Sequence, residues 1–187
     1  MLDVLDRVVL SVDSIKAILE KMAIGISEDY KGLNLTIVPI MNGSLFMAAD
    51  LIRLINVPCQ IECLKVKSYF GKEQMTEGGL VGEELFSQLN NRHVLIVHEI
   101  HDTGSTIDLV LKELKAMPNI ASVRSAVLLN KNKTKQTTYH PDYIGIEVDD
   151  EFLVGYGLDY HGMYRDLSLI HISEPTRLRR ISDAVLC

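Results

Sequence analysis

Short apolar runs alternate with stretches of helical periodicity along this chain of 187 residues. Residues 35–40 and 94–97 are apolar at nearly every position, which is typical of strands buried on both faces of a sheet. Parallel neighbouring strands need a crossover, and a helix between them supplies it. The sequence therefore predicts an α/β fold with a twisted, mostly parallel sheet flanked by helices.

The same patterns place the other elements. Ser11 stands at an N-cap position before an amphipathic helix, and residues 45–55 form a second helical stretch. Further strands are predicted at residues 61–66, 125–129, 143–148 and 152–156. Pro39 is unusual for a central strand because it has no N–H to donate. No linker or repeat divides residues 1–166, so we expect one domain there.

Composition excludes several classes of protein. The formal charge is −6, and the three cysteines, Cys59, Cys63 and Cys187, form no CxxC or zinc-ligand spacing. No apolar run approaches the roughly 18–20 residues that span a bilayer. The acidic N-terminus does not resemble a signal peptide. We therefore expect a cytoplasmic protein without a membrane or nucleic-acid partner.

Residues 94–106 are the most informative segment. A buried strand runs into Asp102-Thr103-Gly104-Ser105-Thr106, and an amphipathic helix follows. Free N–H groups and the peptide dipoles at a helix N-terminus bind phosphate, and glycine lets the backbone approach the ligand. The pattern equally fits an ordinary turn in which a hydroxyl group caps the helix. The spacing alone leaves both possibilities open.

Other kinds of site share parts of this pattern. An aspartic protease has a similar turn, but it needs a mostly β chain and a second aspartate or a homodimer. A zinc site formed by His98, Glu99 and His101 is disfavoured, because neighbours on a strand point to opposite faces and no helical i, i+4 histidine pair is present. The GxxxxGK[ST] motif of Walker-type nucleotide hydrolases is also absent from the sequence.

Several motifs resemble the type I phosphoribosyltransferases, and in particular their hypoxanthine-guanine branch. The phosphoribosyl-pyrophosphate signature of that family has two acidic residues, two further residues and then Asp-Thr-Gly-x-Thr. Residues 98–106 are similar to it, with His98-Glu99 at the acidic pair. The other matching segments, in chain order, are residues 38–44, Ser68-Tyr69, residues 128–131, residues 152–160 and Arg165. The resemblance implies that family's fold, including a small hood built from the N- and C-terminal segments.

The resemblance also implies a reaction. Ribosyl 5′-phosphate would pass from phosphoribosyl pyrophosphate to a purine nitrogen, with release of pyrophosphate. Thr103, Gly104, Ser105 and Thr106 would hold the 5′-phosphate. Asp102 would face the purine and manage its imidazole proton. Purine salvage with hypoxanthine, guanine or both is the expected function.

Five residues correspond to positions around the pyrophosphate: Asn42, Gly43, Ser68, Tyr69 and Arg165. Many relatives carry lysine where Asn42 stands, so binding would depend more on the Arg165 guanidinium. The family often has a cis peptide in this loop. Residues 68–79 would form a lid that excludes water from the activated donor.

The ribose and metal positions depart from the usual pattern. His98 and Glu99 occupy two adjacent positions that in this family normally carry carboxylates near the ribose hydroxyls. Mg²⁺ is the implied cofactor, with Glu99 and Asp159 as its ligands, and imidazole is a poor substitute for an oxygen ligand. His101 replaces a residue that is usually apolar.

The purine site would contain Lys131, Phe152, Leu153 and Asp159. Lys131 would donate to a 6-oxo group and disfavour adenine, whose 6-amino group is also a donor. Phe152 would stack on the purine. Without the resemblance, the alternating lysines of residues 131–135 are typical of a solvated face.

Two hypotheses about function follow. The first is an enzyme that acts on small-molecule substrates and assembles as a homodimer or homotetramer. The alternative is a non-catalytic regulator on the same fold that senses the donor and a nucleotide, which the replacements at His98 and Asn42 motivate.

Residues 167–187 do not fit the preceding domain. Residues 167–177 resemble the in-frame translation of a transposon-end adapter used in sequencing libraries, and residues 181–187 resemble its continuation. We interpret residues 167–187 as a non-native tail. Ile170 and Ile172 are accordingly expected to make no contacts with the fold.

Overall fold

The computed structural model of the protein describes residues 5–66, 80–81 and 88–173. Its strands are β1 (Leu5–Leu10), β2 (Leu35–Met41), β3 (Cys59–Ile61), β4 (Leu64–Val66), β5 (Leu80–Val81), β6 (His93–His101), β7 (Ser122–Lys131), β8 (Tyr143–Val148), β9 (Leu153–Val154) and β10 (Ile170–Ser173). Its helices are α1 (Val12–Asp29), α2 (Leu45–Leu54) and α3 (Ser105–Lys115). None of the helices in these ranges is long and apolar enough to cross a membrane.

The central sheet has the strand order β5-β4-β2-β6-β7-β8, and β3 also pairs with β2. All of these pairings are parallel except that of β4 with β5. The predicted mostly parallel sheet is therefore confirmed. The predicted N-cap is confirmed as well, because the Ser11 hydroxyl accepts a hydrogen bond from the Ser14 backbone N–H.

Both faces of the sheet are buried. Ile37 and Leu95 belong to a core that includes α1 and α2, whereas their neighbours Val38 and Ile96 pack with α3 on the other face. Successive strand residues point to opposite faces. An apolar residue at every position is therefore what two helical layers require.

The strand predicted over residues 61–66 is wrong in one respect, because it is split into β3 and β4. β3 pairs with β2 as far as Ile37, and β4 resumes the pairing at Ile40. Pro39 lies in the interval and has no N–H for the ladder. The pairing with β2 is therefore interrupted next to the residue of β2 that has no backbone N–H to donate.

A three-stranded antiparallel sheet, β1-β10-β9, forms the predicted hood. The expectation that Ile170 and Ile172 make no contacts is wrong. Ile170 is fully buried and Ile172 is 7% exposed, because β10 pairs with β1 on one side and β9 on the other. The origin of residues 167–187 stays a prediction.

Candidate active site

The turn between β6 and α3 leaves a helix N-terminus available. The N-cap residue is Gly104, with φ 87° and no side chain to cap the helix. Thr103 Oγ1 accepts only a long hydrogen bond of 3.4 Å from the Ser105 N–H. A cavity of about 120 Å³ lies at this turn and is lined by His98, Ile100, His101, Asp102, Thr103, Gly104, Thr106 and Ile107. The free N–H groups and the cavity form a place for an anion.

His101 lies directly beneath this turn. Its ring is 1% exposed, and Nδ1 is 2.9 Å from Asn130 Oδ1. Asn130 uses its amide nitrogen to donate to Glu147, so Oδ1 accepts and His101 Nδ1 donates. Burial lowers the pKa of His101. A Cβ atom at position 104 would lie 2.2 Å from Thr137 Cγ2 and 2.8 Å from His101 Nε2, so both side chains pack closely against the turn.

Asp102 follows β6 and contacts two lysines. Lys133 Nζ lies 2.5 Å from Asp102 Oδ1, and Lys131 Nζ lies 3.5 Å from Oδ2. Both ammonium groups also contact Asp150 Oδ1, at 3.3 Å from Lys131 and 3.0 Å from Lys133. Hydrogen bonds to Asp102 and then Asp150 raise the pKa of Lys133. The structure thus places Lys131 beside Asp102.

Lys135 links the β7–β8 connection to the turn between β6 and α3. Its ammonium donates to the backbone carbonyls of His101, Asp102 and Lys131 at 2.8, 3.0 and 2.5 Å. Desolvation by burial lowers the pKa of Lys135. Lys131, Lys133 and Lys135 all contact Asp102 or its backbone carbonyl, so the run is not the solvated face that lysines at this spacing would indicate without the resemblance. Their period-two spacing was the available signal.

His98 and Glu99 contact each other. His98 Nδ1 lies 2.7 Å from Glu99 Oε2. The expectation that these neighbours point apart is therefore wrong for their functional groups, because the longer glutamate side chain reaches the imidazole. Burial opposes ionisation of Glu99, but the charge and hydrogen bond of His98 outweigh it and hold the pKa of Glu99 below its ordinary value.

The glycine of the Asn42–Gly43 loop packs against Glu99. A Cβ atom at position 43 would lie 1.8 Å from Glu99 Oε1, so a side chain here would displace the Glu99 carboxylate. The preceding Met41–Asn42 peptide bond is cis, as expected for this loop. A Cβ atom at Gly157 would lie 1.9 Å from the Gly43 carbonyl oxygen. The Asn42–Gly43 loop therefore packs against Glu99 on one side and against Gly157 on the other.

Arg165 is held beside this loop. Its Nη2 lies 2.6 Å from Asp159 Oδ1, and its Nη1 donates to the Gly157 carbonyl at 2.5 Å. The Gly162 N–H donates to Asp159 Oδ2 at 2.7 Å. The side chains of Arg165 and Asp159 are 32% and 31% exposed, so a ligand can reach both. The predicted residues Ser68 and Tyr69, with the predicted lid, lie outside the described residues.

The predicted purine residues differ in exposure. Phe152 is 40% exposed, and its ring meets that of Tyr160 edge-on at 5.5 Å between centroids. Leu153 is buried, with 6% of the residue exposed, and it pairs with Ile172 of β10. An exposed aromatic ring two residues after Asp150 is available for stacking.

Metal ligands are sparse in this site. Within residues 5–66, 80–81 and 88–173, no group of three or more His, Cys, Asp or Glu residues is placed to hold an ion. Magnesium typically takes one or two carboxylates together with substrate phosphates, so a complete protein cage is not required. Asp159 fits this requirement in that its carboxylate is partly exposed, although its two oxygens already contact Arg165 and the Gly162 N–H and would have to share or release a contact to hold an ion. Glu99 fits it less well, because its side chain is 11% exposed and already bound to His98.

Comparisons with known proteins agree with this geometry. Residues 11–161 match the phosphoribosyl transferase domain family. The chain is 36% identical over 166 residues to the hypoxanthine-guanine phosphoribosyltransferase of Staphylococcus epidermidis, which covers 89% of this chain and 92% of that protein. The corresponding Staphylococcus aureus protein is 32% identical over 171 residues, covering 91% of this chain and 95% of its own.

Solved structures agree as well. A Staphylococcus aureus hypoxanthine phosphoribosyltransferase superposes with a TM-score of 0.83 at 30% identity, covering 94% of this chain and 95% of that one. The Trypanosoma cruzi hypoxanthine phosphoribosyltransferase in complex with the product IMP has a TM-score of 0.81 at 26% identity, with 97% of each chain covered. The chain therefore belongs to the phosphoribosyltransferase family, in its hypoxanthine-guanine branch.

Proposed function

We propose that this protein transfers the 5-phosphoribosyl group of phosphoribosyl pyrophosphate to a ring nitrogen of hypoxanthine, guanine or both. The bond from C1 of the ribose to the pyrophosphate oxygen breaks, the bond from C1 to nitrogen forms, and pyrophosphate leaves. The observation that carries the proposal is the pair Asp102 and Lys131 directly beside an uncapped helix N-terminus. The names of the related proteins support the substrate class.

The turn at residues 103–106 holds the 5′-phosphate in this proposal. Thr103, Gly104 and Thr106 line the cavity at this turn, and the Thr103 hydroxyl lies 3.0 Å from that of Ser105. Fixing this end of the donor fixes the position of C1 relative to the incoming base. The turn therefore supplies orientation, which is a large part of catalysis for a two-substrate transfer.

Asp102 takes the imidazole proton of the purine as the ring nitrogen attacks C1. A carboxylate within reach of that proton increases the nucleophilicity of the nitrogen as positive charge develops on the ribose. Lys131 donates to the 6-oxo group from the same side, and Phe152 stacks on the ring. An adenine amino group would meet the Lys131 ammonium donor to donor, so we expect discrimination against adenine.

The leaving pyrophosphate is bound by Arg165 and the Asn42–Gly43 loop. The guanidinium offers a fork of donors that suits phosphate oxygens. Mg²⁺ held by Asp159 and the donor's own oxygens would neutralise the charge of the leaving group. Participation of Glu99 as a second ligand would require displacement of its hydrogen bond with His98.

The direct test is pyrophosphate release from the donor in the presence of magnesium, with hypoxanthine, guanine, xanthine or adenine as acceptor. We expect turnover with hypoxanthine, guanine or both, and a loss of about 10²- to 10⁴-fold in Asp102→Asn, the usual contribution of a general base. Unaltered turnover in that variant would remove Asp102 from the mechanism. Tight donor binding with no turnover for any base would favour the regulator instead, although no feature of the described residues singles it out.

Location and assembly remain proposals. A cytoplasmic protein that forms a homodimer or homotetramer is consistent with the family, and sedimentation of the purified chain measures its oligomeric state. Its substrates are small molecules, and we expect neither nucleic acid nor a membrane as a partner.

A further inference from the structure

Two ammonium groups share the same two carboxylates above the proposed purine site. Lys131 lies 3.5 Å from Asp102 and 3.3 Å from Asp150. Lys133 lies closer to both, at 2.5 and 3.0 Å. The Lys131 side chain is 9% exposed and that of Lys133 is 26% exposed. The four groups form a closed set of ion pairs, the lysine–aspartate cluster.

The proposed role of Lys131 conflicts with these ion pairs. An ammonium has three N–H donors, but its contacts with the two carboxylates are already long, at 3.5 Å to Asp102 and 3.3 Å to Asp150, and donation to a 6-oxo group draws Lys131 further from them. A carboxylate whose cation is drawn away loses a stabilising charge, and the two neighbouring carboxylates, with side chains 42% and 48% exposed, repel each other. Recruitment of Lys131 to the base therefore has an electrostatic cost unless another cation stays between Asp102 and Asp150.

Lys133 is placed to be that cation. Its contacts with both carboxylates are the shorter ones, and they persist if Lys131 moves toward a ligand. Lys135 does not replace it, because its ammonium already donates to three backbone carbonyls.

We propose that Lys133 is a positioning residue that keeps Asp102 and Asp150 paired and so releases Lys131 to bind the 6-oxo group of the purine. This inference rests on the proposed transferase function. Lys133 itself does not touch the base in this scheme and acts through Lys131 and Asp102. Asp150 is the competing carboxylate that holds Lys131 back when Lys133 is lost.

The test is the Michaelis constant for each substrate in the full-length protein. In Lys133→Met, the KM for hypoxanthine should rise roughly three- to tenfold, a coupling of the size found within ion-pair networks. The KM for the donor should stay within twofold of the wild-type value, because the phosphate turn is unaltered. Lys133→Arg keeps the charge and should stay near the wild type for both substrates.

Removal of the Asp150 carboxylate should reverse the effect of Lys133→Met. Asp150→Asn in the Lys133→Met background should restore the KM for hypoxanthine to within about twofold of the wild type, because Lys131 then has one carboxylate fewer to hold it. A merely structural role of Lys133 would not be rescued by loss of a negative charge. Lys16→Met is the matched control, because this lysine contacts Glu20 at 4.0 Å with a side chain 69% exposed, and it should change neither KM.

The outcomes separate the two proposals. An active wild type whose Lys133→Met variant keeps the hypoxanthine KM, or whose two KM values rise together, overturns the role of Lys133 alone. Failure of Asp150→Asn to rescue overturns it as well. A wild type that binds both substrates but forms no nucleotide overturns the proposed function and this inference with it.

Discussion

Replacement of Gly104 by alanine tests whether the phosphate turn depends on close packing. A residue with a side chain at φ 87° pays about 1–2 kcal/mol for the left-handed conformation. The new Cβ atom would also lie 2.2 Å from Thr137 Cγ2 and 2.8 Å from His101 Nε2. Thr137 cannot rotate freely, because its hydroxyl donates to Asp108 and accepts from the Tyr139 N–H. Overpacking of this kind adds about 1–3 kcal/mol, so we expect a total loss of about 2–5 kcal/mol in the free energy of unfolding.

Denaturant unfolding and steady-state kinetics measure the two consequences. Gly162→Ala is the matched control, since Gly162 has φ +80° and no atom within 4 Å of its would-be Cβ. Gly162→Ala should lower the free energy of unfolding only by the cost of the left-handed backbone conformation, about 1–2 kcal/mol. Gly104→Ala should also lower kcat/KM for the donor by about 100-fold, because a shift of about 1 Å displaces the phosphate. Equal losses of stability in the two variants would refute the steric reasoning. So would a Gly104→Ala/Thr137→Ser protein no more stable than Gly104→Ala, since serine lacks the clashing methyl group.

Three further predictions address selectivity, pH dependence and the C-terminal segment. Lys131→Ala should lose the preference for 6-oxopurines, and unchanged discrimination against adenine in competition assays would contradict its role. The Tyr143 hydroxyl and then Arg124 lower the pKa of Asp29 through hydrogen bonds of 2.7 Å, so this carboxylate stabilises the fold at neutral pH. Asp29→Asn should therefore cost at most about 1 kcal/mol at pH 7, and the difference from the wild type should shrink as the pH falls below the ordinary carboxyl pKa of about 3.9 and vanish below the folded one. Sequencing of the native gene across codon 166 should show a discontinuity, and a continuous reading frame through residue 187 would refute the adapter interpretation.

The layout of the sheet could be predicted because local pattern and tertiary position agree. Continuous apolar runs require cover on both faces, and the helical stretches between them supply it. The N-cap at Ser11 is a local signal that depends on no distant contact. The split opposite Pro39 required knowledge of which strand lies beside β2, although proline itself marked the place where pairing would be weak.

The part of the site that could be predicted from the sequence is the part fixed by the register of β6 against β7. His101 pairs with Asn130 in the parallel register of β6 and β7, which brings Asp102 next to Lys131. The positions of Lys133 and Lys135 depend instead on the path of the chain after β7. A lysine run in a loop is usually solvated, and only three-dimensional proximity to the carbonyls of the turn reverses that interpretation.

The hood shows how a strand can arise from pattern alone. Ile170 and Ile172 alternate with His171, and this alternation matches the inward and outward positions of a strand between β1 and β9. Any segment with that alternation and enough length satisfies the unpaired backbone groups of both neighbours. Burial of β10 therefore follows whether or not its codons belong to the native gene. The folded position of residues 170–173 and the genetic origin of the tail are independent questions, and only the gene sequence decides the second.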